Sequence, residues 1–442
     1  MTSTPNQNPR LISLFTAICI VVANMIGTGV FTSLGFQAAD IKSGFALLSL
    51  WLVGGIFALC GALSYGELGA AMPRSGGEFH YLSRIYHPII GFLTGWVSVT
   101  VGFAAPIAAA AMAFGQYTSR VFPVLTPMVL APLIVIIISL VHTKNLKLGS
   151  YFQDILTVLK ILLIVVLILC GLFLAEPQAL RFLPSSEDIP LIFSAPFAIS
   201  LVYVTYSYSG WNASIYLASE IEEPEKNIPL SLFVGTFIVM VLYLLINFVF
   251  LYSTPINELA GQLEVGYVAA NQIFGTQGAN IMSLLIAFGL ISSISSMVWA
   301  GPRVTQVIGE DIPFFRPLAK KNAEGIPYYA ILLQLAIVLV LVLTATFEAV
   351  ITYLGFTLTL SSFLTVLGVF VHRMRFPDVP RPYKTWGYPV TPIIFLAISL
   401  WMLIFIFQGK PVESLAGLGT IALGLPVYLL ASKKNLVSSN TK

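Results

Sequence analysis

The chain has 442 residues, 57% of them hydrophobic and only 9% charged, with a formal net charge of +3 and a mean hydropathy of +0.90. Soluble domains carry about 25% charged residues, so the composition excludes a soluble enzyme and indicates an integral membrane protein. The small charge and the lack of a basic cluster argue against a nucleic-acid partner.

A span needs about 20 apolar residues, and twelve candidates follow in order. They cover 11–36, 44–71, 88–117, 127–143, 151–174 and 193–218, then 229–252, 278–300, 327–345, 348–371, 387–408 and 412–431. The predicted fold class is all-α, one transmembrane domain over 1–442. The polar N-terminal MTSTPNQNPR and the long apolar run after it speak against a cleavable signal. Pro106, Pro132 and Pro196 are expected inside spans, where neighbouring helices can re-satisfy the freed carbonyls.

The first span reads VVANMIGTGVFTSLG over 21–35, with Gly27-Thr28-Gly29 in its middle. Glycine costs about 1 kcal/mol in a helix interior relative to alanine, and an opened helix in lipid leaves backbone groups without water. The third span carries GFAAPIAAAAMAFG over 102–115, either a packing face or a small apolar wall. Cys19, Cys60 and Cys170 lie in apolar spans without paired spacing, so neither a metal site nor a disulfide framework is expected. His80, His87, His142 and His372 are too scattered for a metal site.

Lys160 falls in the fifth span, nine residues after Tyr151, roughly 14 Å along a helix. Intramembrane charges are costly and usually functional; snorkelling to the interface is the alternative. The sixth span has a second small, polar interruption, Ser207-Tyr208-Ser209-Gly210. Glycines in such helices often serve close packing, but breaks at corresponding places in two halves point to a transporter's binding site. They suggest repeats over 11–174 and 193–371, with 387–431 trailing. Glu220, Glu222, Glu223 and Glu225 follow, as a solvated loop or a gate.

Lysine and arginine counts set the orientation. Arg10, Arg74, Arg84, Lys144, Lys147, Lys226, Arg303, Arg316, Lys320, Lys321, Arg373, Arg375, Arg381, Lys384, Lys433, Lys434 and Lys442 fall on the N-terminal side. Only Lys42, Arg120, Arg181 and Lys410 fall opposite, so both termini are expected in the cytoplasm.

Several motifs resemble the amino acid–polyamine–organocation (APC) transporters. IGTGVF in span one is similar to their IGSGIF-type motif. YSYSGWNASIYLASEIEEPEKNIPLSL resembles their sixth-helix break and acidic loop, PRSGGEFHYLSRIYHPIIGFLTGW their passage from helix two to three, and WAGPRVTQVIGEDI the end of helix eight. The pattern between Tyr388 and Tyr428 is similar to the L-type branch, in a bacterial type.

The resemblance implies a LeuT-type fold of 5+5 inverted repeats with broken helices 1 and 6. It implies a substrate-binding set of Met25, Gly27, Thr28, Gly29, Tyr206, Ser209, Gly210, Trp211 and Asn212. The N–H groups of the half-helix at Gly27–Gly29 would take a carboxylate, and glycine would let the backbone approach it. Carbonyls near Met25, Tyr206 and Ser209 would accept from an α-ammonium group. Trp211 is a gate or an ordinary buried aromatic. Thr28 and Ser209 are bulkier than the residues common at those places, which argues against very large substrate side chains. The resemblance further implies that the Lys160 amine replaces a sodium ion beside Ser292, Ser293 and Ser296, cycling a proton or staying charged.

No Asp or Glu lies mid-span in helices one, three, six, eight or ten; Glu67 and Asp154 lie near span ends. With this acid-poor interior, the resemblance implies a sodium-independent secondary transporter of neutral L-amino acids in the cytoplasmic membrane, as an exchanger or proton-linked. A cationic amino acid or polyamine antiporter would need acidic partners. A sensor or receptor on the same fold would need an added domain or a long tail. No nucleophile–base pair or phosphate loop appears, so neither enzyme chemistry nor a cofactor is expected. The partners expected are an amino acid and membrane lipids. The loop near 118–126 lacks the cysteine through which animal L-type members join a heavy subunit, so no disulfide-linked partner is expected.

Overall fold

The structure, a computed structural model, describes residues 12–143, 146–345 and 347–439. Arg10, Lys144 and Lys442 of the charge count lie outside the described residues, as do the side chains of Lys147, Lys433 and Lys434. The first span is two helices, α1 (Leu14–Met25) and α2 (Gly29–Asp40). α3 (Gly44–Ala71), α4 (Glu78–Ile85) and α5 (Pro88–Val97) follow, and a π-helical turn at Ser98–Gly102 leads into α6 (Ala104–Val121). Next come α7 (Pro127–His142), α8 (Leu146–Leu174), the short α9 (Asp188–Ile192) and α10 (Ala195–Tyr208). A 3₁₀ segment at Ala213–Glu220 precedes α11 (Pro224–Ser253) and α12 (Ile256–Leu259). The chain ends with α13 (Val265–Asp311), α14 (Tyr328–Thr344), α15 (Phe347–Arg375), α16 (Val390–Gly409) and α17 (Pro411–Ser439).

Local chemistry sets these boundaries. Ser13, Ser43 and Ser194 cap α1, α3 and α10, their side chains accepting from the N–H groups of Thr16, Ala46 and Phe197. Pro196 stands in the first turn of α10 rather than inside a span, where its missing N–H costs nothing. Pro106 cannot donate to the Gly102 carbonyl; the wide turn lies just before it, and Phe103 N–H reaches back to Ser98 O at 3.2 Å. Pro106 lies within the Pro88–Val121 span as expected, and Pro132 sits well inside α7.

Nine helical segments among the described residues are long and apolar enough to cross a membrane. α7 and α14 are apolar but shorter, and α10 stops after 14 residues at the second break. Two elements depart from the expected spans. The passage from helix two to three contains α4, and α13 runs 47 residues across a kink at Gly275, whose φ is +71°. Each half of the broken first span packs on a half of the sixth: α2 on α10, and α1 on the 3₁₀ segment. At the outer ends of the latter pair, Ile12 N–H donates to Glu220 O and Glu222 N–H to Ile12 O, both at 3.0 Å.

Candidate binding site at the two helix breaks

α1 ends because its last carbonyls are held by other elements. Ile26 O accepts from Lys160 Nζ (2.7 Å) and Ser293 Oγ (2.7 Å), and Ala23 O from Lys160 Nζ at 3.4 Å. Met25 O lies 2.6 Å from the Tyr243 hydroxyl, which is also 2.9 Å from Ser207 O near the end of α10. One hydroxyl of α11 therefore joins both breaks. Met25 O, near which the carbonyls for an ammonium group are expected, has the Tyr243 hydroxyl as a neighbour and keeps a second lone pair. The carbonyl of Tyr206 is likewise engaged, by Ser209 N–H at 2.9 Å.

The glycines divide by role. A Cβ on Gly29 would fall 2.5 Å from Ser207 Cα, and one on Gly210, whose φ is +98°, 2.8 Å from the Asn24 carbonyl carbon. Both let the two broken spans touch, which is the close-packing reading. Gly27 differs: its nearest neighbour would be Ser293 Oγ at 3.8 Å, an ordinary contact. Thr28 Oγ1 bonds to Tyr206 Oη at 2.8 Å, a second tie between the breaks. α2 begins at Gly29, and the first N–H groups of any helix lack partners within it.

A cavity of about 90 Å³ lies beside the breaks. Of the expected binding set, Tyr206, Ser209, Gly210, Trp211 and Asn212 line this cavity; Met25, Gly27, Thr28 and Gly29 are not in its wall. Trp211 is both wall and core, packed edge-on against Tyr65 with ring centroids 4.7 Å apart. From the third span, Gly102, Phe103 and Pro106 reach the cavity. The alanines from Ala108 to Ala111 are buried instead, in a helix packed on α13 and α14, so that stretch is a packing face.

The Lys160 amine is 3% exposed and meets α1 and α13, not the interface. Ser293 Oγ, whose proton goes to Ile26 O, accepts from it at 2.8 Å. With Ala23 O and Ile26 O this gives three acceptors for the three N–H bonds of an ammonium group. Ser292 and Ser296 are corrections to the expected face. Ser292 Oγ accepts from Gln153 Nε2 (3.2 Å), and Ser296 Oγ donates to Ser293 O (3.0 Å). Ser292 points about 100° away from Ser293, whereas Ser296 shares the Ser293 face but lies about 4.5 Å further along the axis, with its hydroxyl turned back to Ser293 O.

Sequence reasoning missed Tyr243 and Glu78. Tyr243 carries a hydroxyl in an otherwise apolar span, which was a usable signal. Glu78 read as part of a connecting loop, yet its carboxylate is in the cavity wall, bound to Asn212 Nδ2 (2.8 Å) and Tyr216 Oη (2.7 Å). Of the acidic run, Glu220 pairs with Arg303 at 3.0 Å, while Glu222, Glu223 and Glu225 are exposed. Among the described residues no group of three His, Cys, Asp or Glu could hold a metal ion.

A bundle of apolar helices with two broken segments crossing at a cavity defines a multi-pass membrane protein of the transporter class. Comparison with known proteins identifies the family: the amino acid permease profile matches residues 12–425. The chain belongs to that family, within the APC superfamily. It is 28% identical over 434 residues to the large neutral amino acids transporter small subunit 2 of Mus musculus, covering 95% of this chain and 80% of that protein. It is 28% identical over 442 residues to the serine/threonine exchanger SteT of Bacillus subtilis (97% and 98%). It is 27% identical over 430 residues to the b(0,+)-type amino acid transporter 1 of Mus musculus (95% and 87%). The protein is thus an amino acid transporter rather than an enzyme.

Proposed function

We propose that the protein carries neutral L-amino acids across the cytoplasmic membrane by alternating access, without sodium, through twelve spans arranged as 5+5 inverted repeats plus two. The observation that carries this reading is the Lys160 amine, fixed between the α1 terminus and Ser293 of α13, where a coupling cation would otherwise neutralise the same carbonyls. The substrate carboxylate is assigned to the N-terminus of α2 and the side chain to the cavity bounded by Tyr206, Ser209, Trp211 and Asn212. The crossing of α2 with α10 and of α1 with the 3₁₀ segment supports the inverted repeat. The lysine and arginine bias supports cytoplasmic termini. No disulfide-linked subunit is proposed.

The likeness to a large neutral amino acids transporter subunit and a serine/threonine exchanger favours neutral substrates. A cationic substrate gains one observation, the Glu78 carboxylate in the cavity wall. Three neutral donors already engage that carboxylate, which leaves little acceptor capacity for a distal ammonium, and the neutral reading stands. Uptake of labelled alanine, serine, threonine and valine into proteoliposomes tests the proposal. These should compete with one another, putrescine and lysine should compete poorly, and removal of sodium should change nothing. Dependence on a sodium gradient, or inhibition by putrescine alone, would refute it.

A further inference from the structure

Glu78 opens α4, outside the membrane-crossing helices, yet it is 4% exposed. Its Oε1 accepts from Tyr65 Oη (3.1 Å) and Asn212 Nδ2 (2.8 Å), and its Oε2 from Tyr216 Oη (2.7 Å). Asn212 Nδ2 also donates to Tyr216 Oη at 3.0 Å. The cluster therefore ties the segment after the second break to α3 and α4, at the cavity wall. All three partners are neutral, and no salt bridge to Glu78 occurs among the described residues.

The titratable groups facing it are Tyr65 on α3, Tyr216 on the 3₁₀ segment and Tyr81 on its own helix. From α15, the Ser362 and Thr365 hydroxyls approach the Tyr65 hydroxyl. His80, also on α4, is pushed down to about 4 by burial and then by Arg74 and Arg84, so it supplies no cation near neutral pH. Burial raises the proton affinity of the Glu78 carboxyl above that of a free glutamate, against the pull of Tyr216, Tyr65 and Asn212.

We infer that Glu78 is a proton-binding site whose occupancy controls how firmly the segment after the second break is held to α3 and α4. This rests on the transport reading above and adds its driving ion. The geometry serves both protonation states. A tyrosine hydroxyl can rotate to donate to a carboxylate or to accept from a carboxylic acid, whereas the Asn212 amide nitrogen donates in either case. When the cluster opens and the carboxyl meets water, its proton affinity returns to the ordinary range. The closed cluster thus binds the proton more tightly than the open one. Closing takes a proton up, opening releases it, and raising the pH through the buried group's range weakens the closed form.

The test uses the full-length protein in liposomes that enclose a pH indicator, with labelled alanine as the substrate probe. Wild-type transport should vary with pH, and substrate addition should move protons. Glu78→Gln should lose at least tenfold of the proton flux, and what exchange it retains should be flat with pH. Tyr216→Phe removes a donor that favours the charged form, so the midpoint should rise by about one pH unit. Tryptophan fluorescence reads the protonation without transport, because Trp211 adjoins Asn212 and packs on Tyr65. A wild-type pH transition that vanishes in Glu78→Gln supports the site even if no alanine moves, in which case the transport reading alone fails. A flat wild type, an unchanged profile in Glu78→Gln, or an unmoved midpoint in Tyr216→Phe overturns it.

Discussion

At Gly29 an added methyl group meets the backbone of α10, not only a flexible tip: Ser207 Cα would be 2.5 Å away. Overpacking of that kind costs about 1–3 kcal/mol, so Gly29→Ala should lower the melting temperature of the purified protein as well as its activity. Gly27→Ala meets nothing closer than 3.8 Å. It should melt like the wild type and lose affinity for substrate, which makes it the cleaner probe; unchanged affinity in calorimetry would remove Gly27 from the binding set. Lys160→Ala deletes three donors to α1 and Ser293. Hydrogen bonds to charged groups are worth about 1.5–3 kcal/mol, so transport should fall by about ten- to a hundredfold while the protein still elutes as a single species.

Among the elements, α11 reaches both breaks through Tyr243. Its hydroxyl has one proton and two carbonyl neighbours, Met25 O and Ser207 O. Tyr243→Phe leaves a buried carbonyl short of a donor, a cost of about 1–3 kcal/mol. Reduced thermal stability and slower exchange are expected, with no change in which amino acids compete. A shift in substrate preference would instead mean that Tyr243 contacts the ligand. The second break also starts later than its polar letters suggest. Ser207 and Tyr208 remain helical with their hydroxyls satisfied, Ser207 Oγ donating back to Tyr203 O (2.8 Å) and Tyr208 Oη to Trp51 O (3.0 Å). The interruption is Ser209–Asn212, at the glycine with positive φ.

For the whole molecule, the charge bias predicts that both ends face the cytoplasm; a C-terminal green fluorescent protein fusion should fluoresce in cells, and a dark but well-expressed fusion would contradict it. What the sequence made legible follows physical cost. Glycine in a lipid-embedded helix and lysine in an apolar span are expensive, so Gly27, Gly210 and Lys160 stood out and lie at or beside the breaks. Glu78 could not stand out, because a glutamate in a connecting stretch is cheap until tertiary packing buries it. Ser292 and Ser296 misled for the converse reason: sharing a serine-rich stretch with Ser293 says little about which side chain faces the amine. The sixth span, expected as a broken helix over 193–218, is α10 followed by the 3₁₀ segment, so neither half alone has the length of a full span.

The paired backbone bonds between Ile12 and the chain at Glu220 and Glu222 have a consequence for sequence drift. They use amide and carbonyl groups that every residue except proline possesses. Across a lineage, the join between the start of the first span and the exit of the sixth can therefore outlast the identity of the residues that make it. Apolar bulk at Ile12 and Ile221, both buried, is enough to keep water from the join. Proline at position 12 or 222 is the substitution that removes a donor outright; variation at the exposed position 222 should be wide with that single gap, while the buried position 12 also keeps an apolar side chain.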